Sequence, residues 1–334
     1  MIESVGRVVN DDYDELADRF ADRINAIKSI RIENNRTVEL IKHIRFYMRT
    51  ATGGGESTCA SLTAPTRAGK TTIVEAFQDR FRPDPNAESD EMPIVYVETP
   101  SAANTKTLGL EILRSLRDVN PNKGDGDYKR RQAVSALKRR NTKLLIIDEI
   151  QRLVQKDRGK VAFRVSDWIQ NLINECRGQC GILLVGTTRA RRIFERNGHL
   201  VGRTDHHFEI APFRRKTEND EDDWMLYRAY LKEFDNQLQA VGGFQRSDLQ
   251  KQDLAARIHA ASRGYPGVTA RIIRYAATQA MLHGDKPTVD LEAFAIAFDR
   301  IWLHSESKAL NPFTTKTPPH IDLVWRKEWE EEFD

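Results

Sequence analysis

Apolar residues recur at helical spacing over the first 50 residues of the chain. Within 11–33 they return every three or four positions, and the same spacing runs from Val38 to Met48. A period near 3.6 residues is typical of amphipathic helices, so the pattern predicts two of them. The glycine-rich run at 52–57 then ends the periodicity. The pattern leaves open whether these helices belong to the core that follows.

Between residues 58 and 213, short apolar runs alternate with segments of helical periodicity. The predicted strands are 58–63, 92–98, 144–148 and 181–186, with a weaker fifth at 206–210. The predicted helices between them are 72–81, 105–117, 128–140 and 162–176. Strands that alternate with helices favour an α/β fold in which a parallel sheet is covered on both faces.

Beyond Phe213 the periodicity becomes helical only. It predicts helices at 220–238, 250–262, 266–283 and 290–303. The proline-containing tail from Asn311 onward is interpreted as a loosely held extension that docks a partner. The predicted organisation is an N-terminal helical segment (1–50), a nucleotide-binding α/β domain (51–215), a helical lid (216–305) and a C-terminal tail (306–334).

Composition narrows the class of protein. Of the 334 residues, 40% are hydrophobic and 30% are charged, a mixture typical of soluble globular proteins. No apolar run approaches the roughly 20 residues of a membrane-spanning helix, and the N-terminus lacks the features of a signal peptide, so a cytoplasmic location without membrane contact is expected. The three cysteines do not form a zinc pattern. A net charge of +3 is too small to predict nucleic-acid binding, which must rest on local basic clusters.

The strongest motif is A-P-T-R-A-G-K-T-T at 64–72, which follows a predicted strand and opens a predicted helix. It fits the phosphate-binding pattern G-x-x-x-x-G-K-[ST], except that Ala64 replaces the first glycine. We expect Gly69 to permit close approach of phosphate, Lys70 to neutralise the β and γ oxygens, and Thr71 to ligate Mg²⁺. The predicted ATP-binding residues of this loop are Ala64, Pro65, Thr66, Arg67, Ala68, Gly69, Lys70, Thr71 and Thr72.

A second motif, L-L-I-I-D-E at 144–149, ends the third predicted strand with two acids. Ligands of open α/β sheets bind at the carboxyl ends of the strands, so Asp148 is predicted to hold Mg²⁺. Glu149 is predicted to orient and deprotonate the attacking water. Since a kinase substrate brings its own nucleophile, the second acid favours ATP hydrolysis over phosphate transfer to a small molecule.

The fourth predicted strand ends in G-T-T-R at 186–189. A polar side chain at this point would lie near the γ-phosphate and help to position the water. Thr187 and Thr188 are both candidates for this role, and the sequence does not choose between them.

With these motifs, the chain resembles the AAA+ superfamily and, within it, the TniB/TnsC ATPases of transposons. The resemblance covers most of residues 35–300 and rests on G-K-T-T (69–72), L-L-I-I-D-E-I-Q-R-L (144–153) and I-L-L-V-G-T-T-R-A-R-R-I-F-E-R-N (182–197). It implies a P-loop NTPase fold of AAA+ type with a five-stranded parallel sheet and a C-terminal helical lid. It further implies homo-oligomeric rings or helical filaments on duplex DNA, and contacts with a DDE transposase and a target-selection factor.

The resemblance also implies roles for arginines and for basic residues near DNA. Arg203 is the predicted trans-acting arginine finger, with Arg192 and Arg196 as alternatives, and Arg271 is the predicted second sensor of the nucleotide. At the position where related ATPases carry this sensor, directly after the proline turn, the chain has Gly267, which puts the second sensor in question. The predicted contacts with DNA phosphates are Lys106, Thr107, Lys129, Arg130 and Arg131.

Two other functions stay open at this stage. One is a different AAA+ assembly ATPase, of the helicase-loader or secretion-linked type. The other is a nucleotide-dependent signalling switch that binds a protein instead of DNA. Retention on duplex DNA separates the switch from the DNA-binding alternatives.

Overall fold

The computed structural model describes residues 18, 20–53, 59–81, 90–101, 103–153, 159–190, 204–215, 221–281, 286–303 and 310–325, with the backbone alone at 159–163, 205 and 221–222. Two compact units are present. The sheet unit comprises Asn35–Ala211 with Phe333–Asp334, and the helical unit comprises Met1–Asn34 with Pro212–Glu332. The four segments predicted from the sequence stay a prediction.

The sheet unit is built on five parallel strands in the order β2-β3-β4-β1-β5. The strands are β1 (Cys59–Thr63), β2 (Ile94–Glu98), β3 (Leu144–Asp148), β4 (Gly181–Gly186) and β5 (Thr204–Glu209). Every residue of β1, β3 and β4 is buried, as expected for strands covered on both faces. The predicted parallel five-stranded sheet is therefore confirmed.

Among its described residues, the sheet unit has five α-helices. They are α2 (Asn35–Ala51), α3 (Lys70–Asp79), α4 (Thr105–Ser115), α5 (Gly126–Arg139) and α6 (Gly159–Glu175), and α1 (20–29) belongs to the helical unit. Helix α2 packs at the start of β4, where the Tyr47 hydroxyl exchanges two 3.0 Å hydrogen bonds with the backbone of Ile182. The sequence left the place of the N-terminal helices open, and the structure puts this one against the sheet.

The helical unit contains α7 (Glu221–Gly242), α8 (Gln252–Ser262), α9 (Pro266–Ala280), α10 (Leu291–Ile301) and the short α11 (Ile321–Val324). Its core also includes residues from the N-terminal part of the chain. Arg23 in α1 donates to the carbonyl of Gly242, and Arg274 in α9 donates to the carbonyl of Ile30. In the part of the chain that the structure describes, no helix has the length and apolar character to cross a membrane.

Residues 310–325 form part of the core of the helical unit. The Phe313 ring stacks on Phe294 at 5.0 Å, and the indole of Trp325 meets Trp302 edge-on at 5.0 Å and donates to the carbonyl of Ala260. The prediction of a loosely held tail is therefore wrong for these residues. The prolines of this segment led to the prediction of an exposed extension, but its aromatic side chains pack in the core. Residues 326–334 lie outside the described part of the chain.

The buried guanidinium of Arg257 holds this segment in place. It donates to the carbonyl oxygens of Pro312 (2.7 Å), Thr315 (2.9 Å) and Lys316 (3.2 Å), and its Nε pairs with Asp253 at 2.7 Å. A planar cation with five donors can satisfy several carbonyls at once, whereas an ammonium cannot reproduce this geometry.

We expect Arg257→Met to destabilise the helical unit by about 2–3 kcal/mol, because buried carbonyl oxygens lose their donors. Urea unfolding of the full chain, followed by circular dichroism, measures the loss. Arg300→Met, at a more exposed position of α10, is the matched control and should change the free energy of unfolding by less than about 0.5 kcal/mol. Equal stability of the two variants would contradict the role given to Arg257.

Candidate nucleotide-binding site

The loop at 64–69 connects β1 to α3, and two of its small residues are completely buried. Ala64 and Ala68 are fully buried, and the Ala64 N–H donates to the Gly186 carbonyl at the end of β4. Arg67 and Gly69 have left-handed backbones, with φ of 65° and 116°. A left-handed residue disfavours most side chains, and glycine adopts it without strain. Ala64 is not one of the left-handed residues, and its methyl group is completely buried, so alanine fits the loop at the position of the first glycine.

The N-terminus of α3 presents donors that suit phosphate. Gly69 caps the helix without any side-chain hydrogen bond, and the first backbone N–H groups of a helix point away from its start, toward the loop. The ammonium of Lys70 is buried and donates to the carbonyls of Ala64 (2.8 Å) and Pro65 (3.0 Å). Backbone donors, a lysine ammonium and an uncapped helix start fit the phosphates of a nucleotide.

Asp148 ends β3 as a nearly completely buried carboxylate. Its Oδ1 accepts from the Glu149 N–H at 2.7 Å, and its Oδ2 accepts from the Tyr96 hydroxyl at 3.0 Å. Burial raises the pKa of Asp148, and these two hydrogen bonds and the charge of Lys70 oppose the rise. A carboxylate oxygen is a ligand that suits a divalent cation. Burial, and after it the charge of this carboxylate, raises the pKa of Tyr96.

The two motifs converge because of the strand order. β4 lies between β1 and β3 and pairs with both, so the phosphate loop and Asp148 follow the two strands that flank β4, at the carboxyl end of the parallel sheet. The charge of Lys70 is one of the interactions that favour the ionised form of Asp148, which agrees with this placement. Asp148 and the exposed Thr71 at the start of α3 are the residues that would hold Mg²⁺.

We expect Tyr96→Phe to shift the acid limb of the pH–ATPase profile to higher pH. Asp148 would hold the predicted cation in its ionised form, and loss of the Tyr96 hydrogen bond removes one interaction that lowers its pKa. ATPase rates measured across the acid range at saturating ATP test this. Tyr128→Phe, at an exposed tyrosine of α5, is the matched control and should leave the profile of the wild type unchanged. An identical acid limb in Tyr96→Phe would contradict the role of this hydrogen bond.

Glu149 turns the chain out of β3 with a left-handed backbone (φ 56°) into a 3-10 helix at Ile150–Leu153. Its carboxylate Oε2 accepts from the Gln151 amide at 2.7 Å, and the Arg152 Nε lies 3.6 Å away. Arg152 pairs more closely with Glu98, at 2.7 Å, and also donates to the Thr99 carbonyl. The carboxylate is therefore held next to Asp148 mainly by a neutral donor.

The end of β4 carries the two candidate threonines. Thr187 is buried, and its N–H donates to the Gln151 Oε1 at 3.1 Å. Thr188 opens a 3-10 helix at Thr188–Ala190, and its buried Oγ1 has no hydrogen-bond partner among the described residues. The Thr188 hydroxyl is thus the one still available to a bound group, although the choice between the threonines stays a prediction.

The described structure does not test the predicted roles of the arginines. Arg203, Arg192 and Arg196 lie outside the described residues. Arg271 belongs to the helical unit, in α9, where its guanidinium lies over the rings of Tyr275 (5.7 Å) and Trp302 (5.6 Å). The roles of an arginine finger and of a second sensor stay predictions.

Burial contradicts two of the predicted DNA contacts. Lys129 is fully buried, its ammonium donates to the carbonyls of Pro121 and Lys123, and burial lowers its pKa. Arg130 is also buried and pairs with Asp127 and Glu175. Neither cation is available to a phosphate, because α5 turns this face toward α4 and α6.

The remaining DNA candidates lie at the surface. Lys106 and Arg131 are exposed on α4 and α5. Thr107 is partly buried and closes a capping box with Asn104 at the start of α4. These three contacts stay predictions.

Three residues of the site were not predicted from the sequence. Tyr96, Gln151 and Arg152 each hold one of the two acids or its neighbours. In the sequence, Tyr96 has no feature that separates it from other strand residues. The pairing of β2 with β3 brings it close to Asp148. Gln151 and Arg152 follow the acidic pair within three residues, and no local pattern in the sequence indicates their contacts.

Comparisons with known proteins agree on the fold. The profile of the family described as Bacterial TniB protein matches residues 23–212. The structure is similar to the Aeropyrum pernix ORC2 protein in ADPNP–ADP complexes (15% identity, TM-score 0.55, 81% of this chain and 68% of that chain). It is also similar to Cdc6p from Pyrobaculum aerophilum (14%, 0.56, 80% and 68%) and to Aeropyrum pernix ORC1 in complex with DNA (14%, 0.52, 81% and 66%).

These similarities cover only part of the other proteins. The chain spans about two thirds of the length of these three proteins, and the search of curated proteins found no match. At 14–15% identity the likeness establishes the fold, which is the AAA+ type of P-loop fold, as the resemblance in the sequence implied.

Proposed function

The chain belongs to the TniB family of bacterial proteins, and from this premise we propose that it is an ATP-dependent regulator of DNA transposition. The observation that carries the proposal is the convergence of the phosphate loop and the acidic pair. Lys70 begins α3 after the loop that follows β1, Asp148 ends β3, both strands pair with β4, and Glu149 follows Asp148 directly. These residues form the set that Mg²⁺-dependent hydrolysis of ATP requires.

The proposed chemistry distributes roles among the described residues. Lys70 and the first N–H groups of α3 bind the phosphates, and Thr71 and Asp148 hold the cation. Bound Mg²⁺ supplies neutralisation of charge on the phosphates. Glu149 orients and deprotonates the attacking water, and Thr188 or Thr187 orients the same water from the end of β4.

Nucleotide binding is proposed to control assembly. ATP bound between neighbouring copies joins them into a ring or a helical filament around duplex DNA, and Arg203 of the adjacent copy completes the site, with Arg192 and Arg196 as alternatives. Lys106, Thr107 and Arg131 contact DNA phosphates without reading bases. The filament recruits a DDE transposase to a target chosen by a selection factor, and hydrolysis of ATP releases the copies.

Electron microscopy of the full chain with a 60-base-pair duplex and Mg²⁺ tests the assembly. A non-hydrolysable ATP analogue should give rings or filaments on the DNA, and ADP should give none. Binding of the analogue without retention on DNA would contradict the proposal and favour a switch that binds protein. A filament that fails to stimulate a transposase encoded beside it would favour another AAA+ assembly ATPase.

A further inference from the structure

Gln151 is a buried amide that joins the end of β4 to the carboxylate of Glu149. Its Oε1 accepts from the Thr187 N–H at 3.1 Å, and its Nε2 donates to the Glu149 Oε2 at 2.7 Å. A backbone N–H can only donate, so the amide oxygen must face Thr187. The nitrogen is then forced to face Glu149, and the direction of this hydrogen bond is fixed by the backbone.

Gly186 makes room for this amide. A Cβ atom added at Gly186 would lie 2.7 Å from the Gln151 Oε1 and 2.7 Å from the Ile150 Cγ2, closer than real contacts allow. The Gly186 carbonyl also accepts the N–H of Ala64 in the phosphate loop. One glycine therefore contacts the phosphate loop through its backbone and permits the position of Gln151 through its missing side chain.

The amide is also the closer of the two donors to the carboxylate. Arg152 Nε lies 3.6 Å from the same Glu149 oxygen, and its guanidinium is directed toward Glu98 and the Thr99 carbonyl, each at 2.7 Å. The contact of Gln151 is nearly 1 Å shorter and is oriented by a second hydrogen bond. The position of the Glu149 carboxylate is consequently set from β4 through Gln151.

We propose that Gln151 is a positioning residue that couples the end of β4, next to the phosphate loop, to the carboxylate of Glu149. The inference rests on the proposed ATP hydrolysis and adds a residue to it. A shift of the β4 end on nucleotide binding moves Thr187, and Gln151 transmits that movement to the group that activates water. Since a displacement of about 1 Å lowers rates by about 100-fold, the coupling acts on kcat and leaves nucleotide affinity nearly unchanged.

Two substitutions separate positioning from a structural role. Gln151→Met keeps the length of the side chain and removes both hydrogen bonds. Gln151→Glu keeps an acceptor for the Thr187 N–H and, when ionised, cannot donate to Glu149. The matched control is Gln132→Met, at an amide in α5 that donates to Asp118 at 2.7 Å. Each variant is tested for nucleotide affinity, kcat, KM and thermal unfolding.

We expect both Gln151 variants to lose kcat by about 10- to 100-fold, with KM for ATP and the affinity for a fluorescent nucleotide within about threefold of the wild type. Gln132→Met should keep the wild-type kcat. A wild-type kcat in Gln151→Glu would overturn the inference, because the acceptor for Thr187 alone would then be sufficient. A large increase in KM with unchanged kcat would also overturn it.

Two further outcomes complete the test. If Gln151→Met does not fold, Gly186→Ala displaces the intact amide and should reproduce the loss of kcat. Wild-type kcat in a folded Gly186→Ala would argue against the inference. If the wild-type chain binds no ATP or does not hydrolyse it, the proposed function fails and not the coupling, so the two failures are distinguishable.

Discussion

Glu149→Gln is expected to lower the ATPase rate by about 10²- to 10⁴-fold while leaving ATP affinity at the wild-type level. The substitution removes the base that accepts the proton of water, but the new amide oxygen still accepts the hydrogen bond from Gln151. Because hydrolysis is proposed to release the copies, the variant should accumulate as long-lived assemblies on duplex DNA. Phosphate release under single-turnover conditions measures the first effect, and electron microscopy after a chase with ADP measures the second.

Glu91→Gln is the control for this prediction. Glu91 is an exposed acid before β2 that also accepts from a side-chain amide, that of Asn141, at 2.9 Å. The Glu91→Gln variant should hydrolyse ATP at the wild-type rate. Hydrolysis by Glu149→Gln within threefold of the wild type would remove Glu149 from the chemistry, and the acidic pair would then have no demonstrated role beyond the cation.

Lys70→Ala is expected to weaken ATP binding by at least about 100-fold, which corresponds to about 2.7 kcal/mol. The ammonium lies over the loop and now satisfies the carbonyls of Ala64 and Pro65, so it can move from these weak acceptors to phosphate oxygens. No assemblies on DNA should form with ATP. Isothermal titration calorimetry measures the affinity, and microscopy measures the assembly.

Lys138→Ala, at an exposed lysine near the end of α5, is the matched control and should bind ATP as the wild type does. Thermal unfolding distinguishes lost binding from a collapsed loop, because Lys70 also bonds the loop in the free protein. The contrast between Lys70→Ala and Glu149→Gln is the most informative comparison. Equal assembly of Lys70→Ala and Glu149→Gln with ATP would contradict a mechanism in which nucleotide binding builds the filament and hydrolysis dismantles it.

The sheet was predictable because its three central strands are buried on both faces. Runs such as Leu144–Asp148 and Gly181–Gly186 contain no polar residue before the strand end, and their bounds were predicted without error. The weaker strand β5 was placed two residues late, since Thr204–Glu209 carries charged and histidine side chains that mask the alternation. The sequence analysis predicts five parallel strands but not their order, which depends on pairing between strands that are distant in the sequence.

The chemistry of the site was less accessible from sequence. Lys70 and Asp148 belong to motifs with fixed spacing, so their identity follows from local pattern. Lys129 shows the opposite case, because a lysine within a basic run predicts an exposed cation and burial under the preceding loop was not visible. Tyr96 and Gln151 act through hydrogen bonds that depend on neighbouring strands, and no local pattern records such contacts.

The helical unit contains residues that precede the sheet unit in the sequence and residues that follow it, and this affects the order in which the units can fold. Arg23 reaches the backbone of Gly242, 219 positions later, and Trp325 reaches that of Ala260. Contacts between such distant residues close slowly, since the intervening chain must be arranged first. During synthesis, α1 emerges more than 200 residues before its partner Gly242. The five strands of the sheet unit are all synthesised before residue 212, so we expect this unit to fold before the helical unit, whose core also needs Trp325.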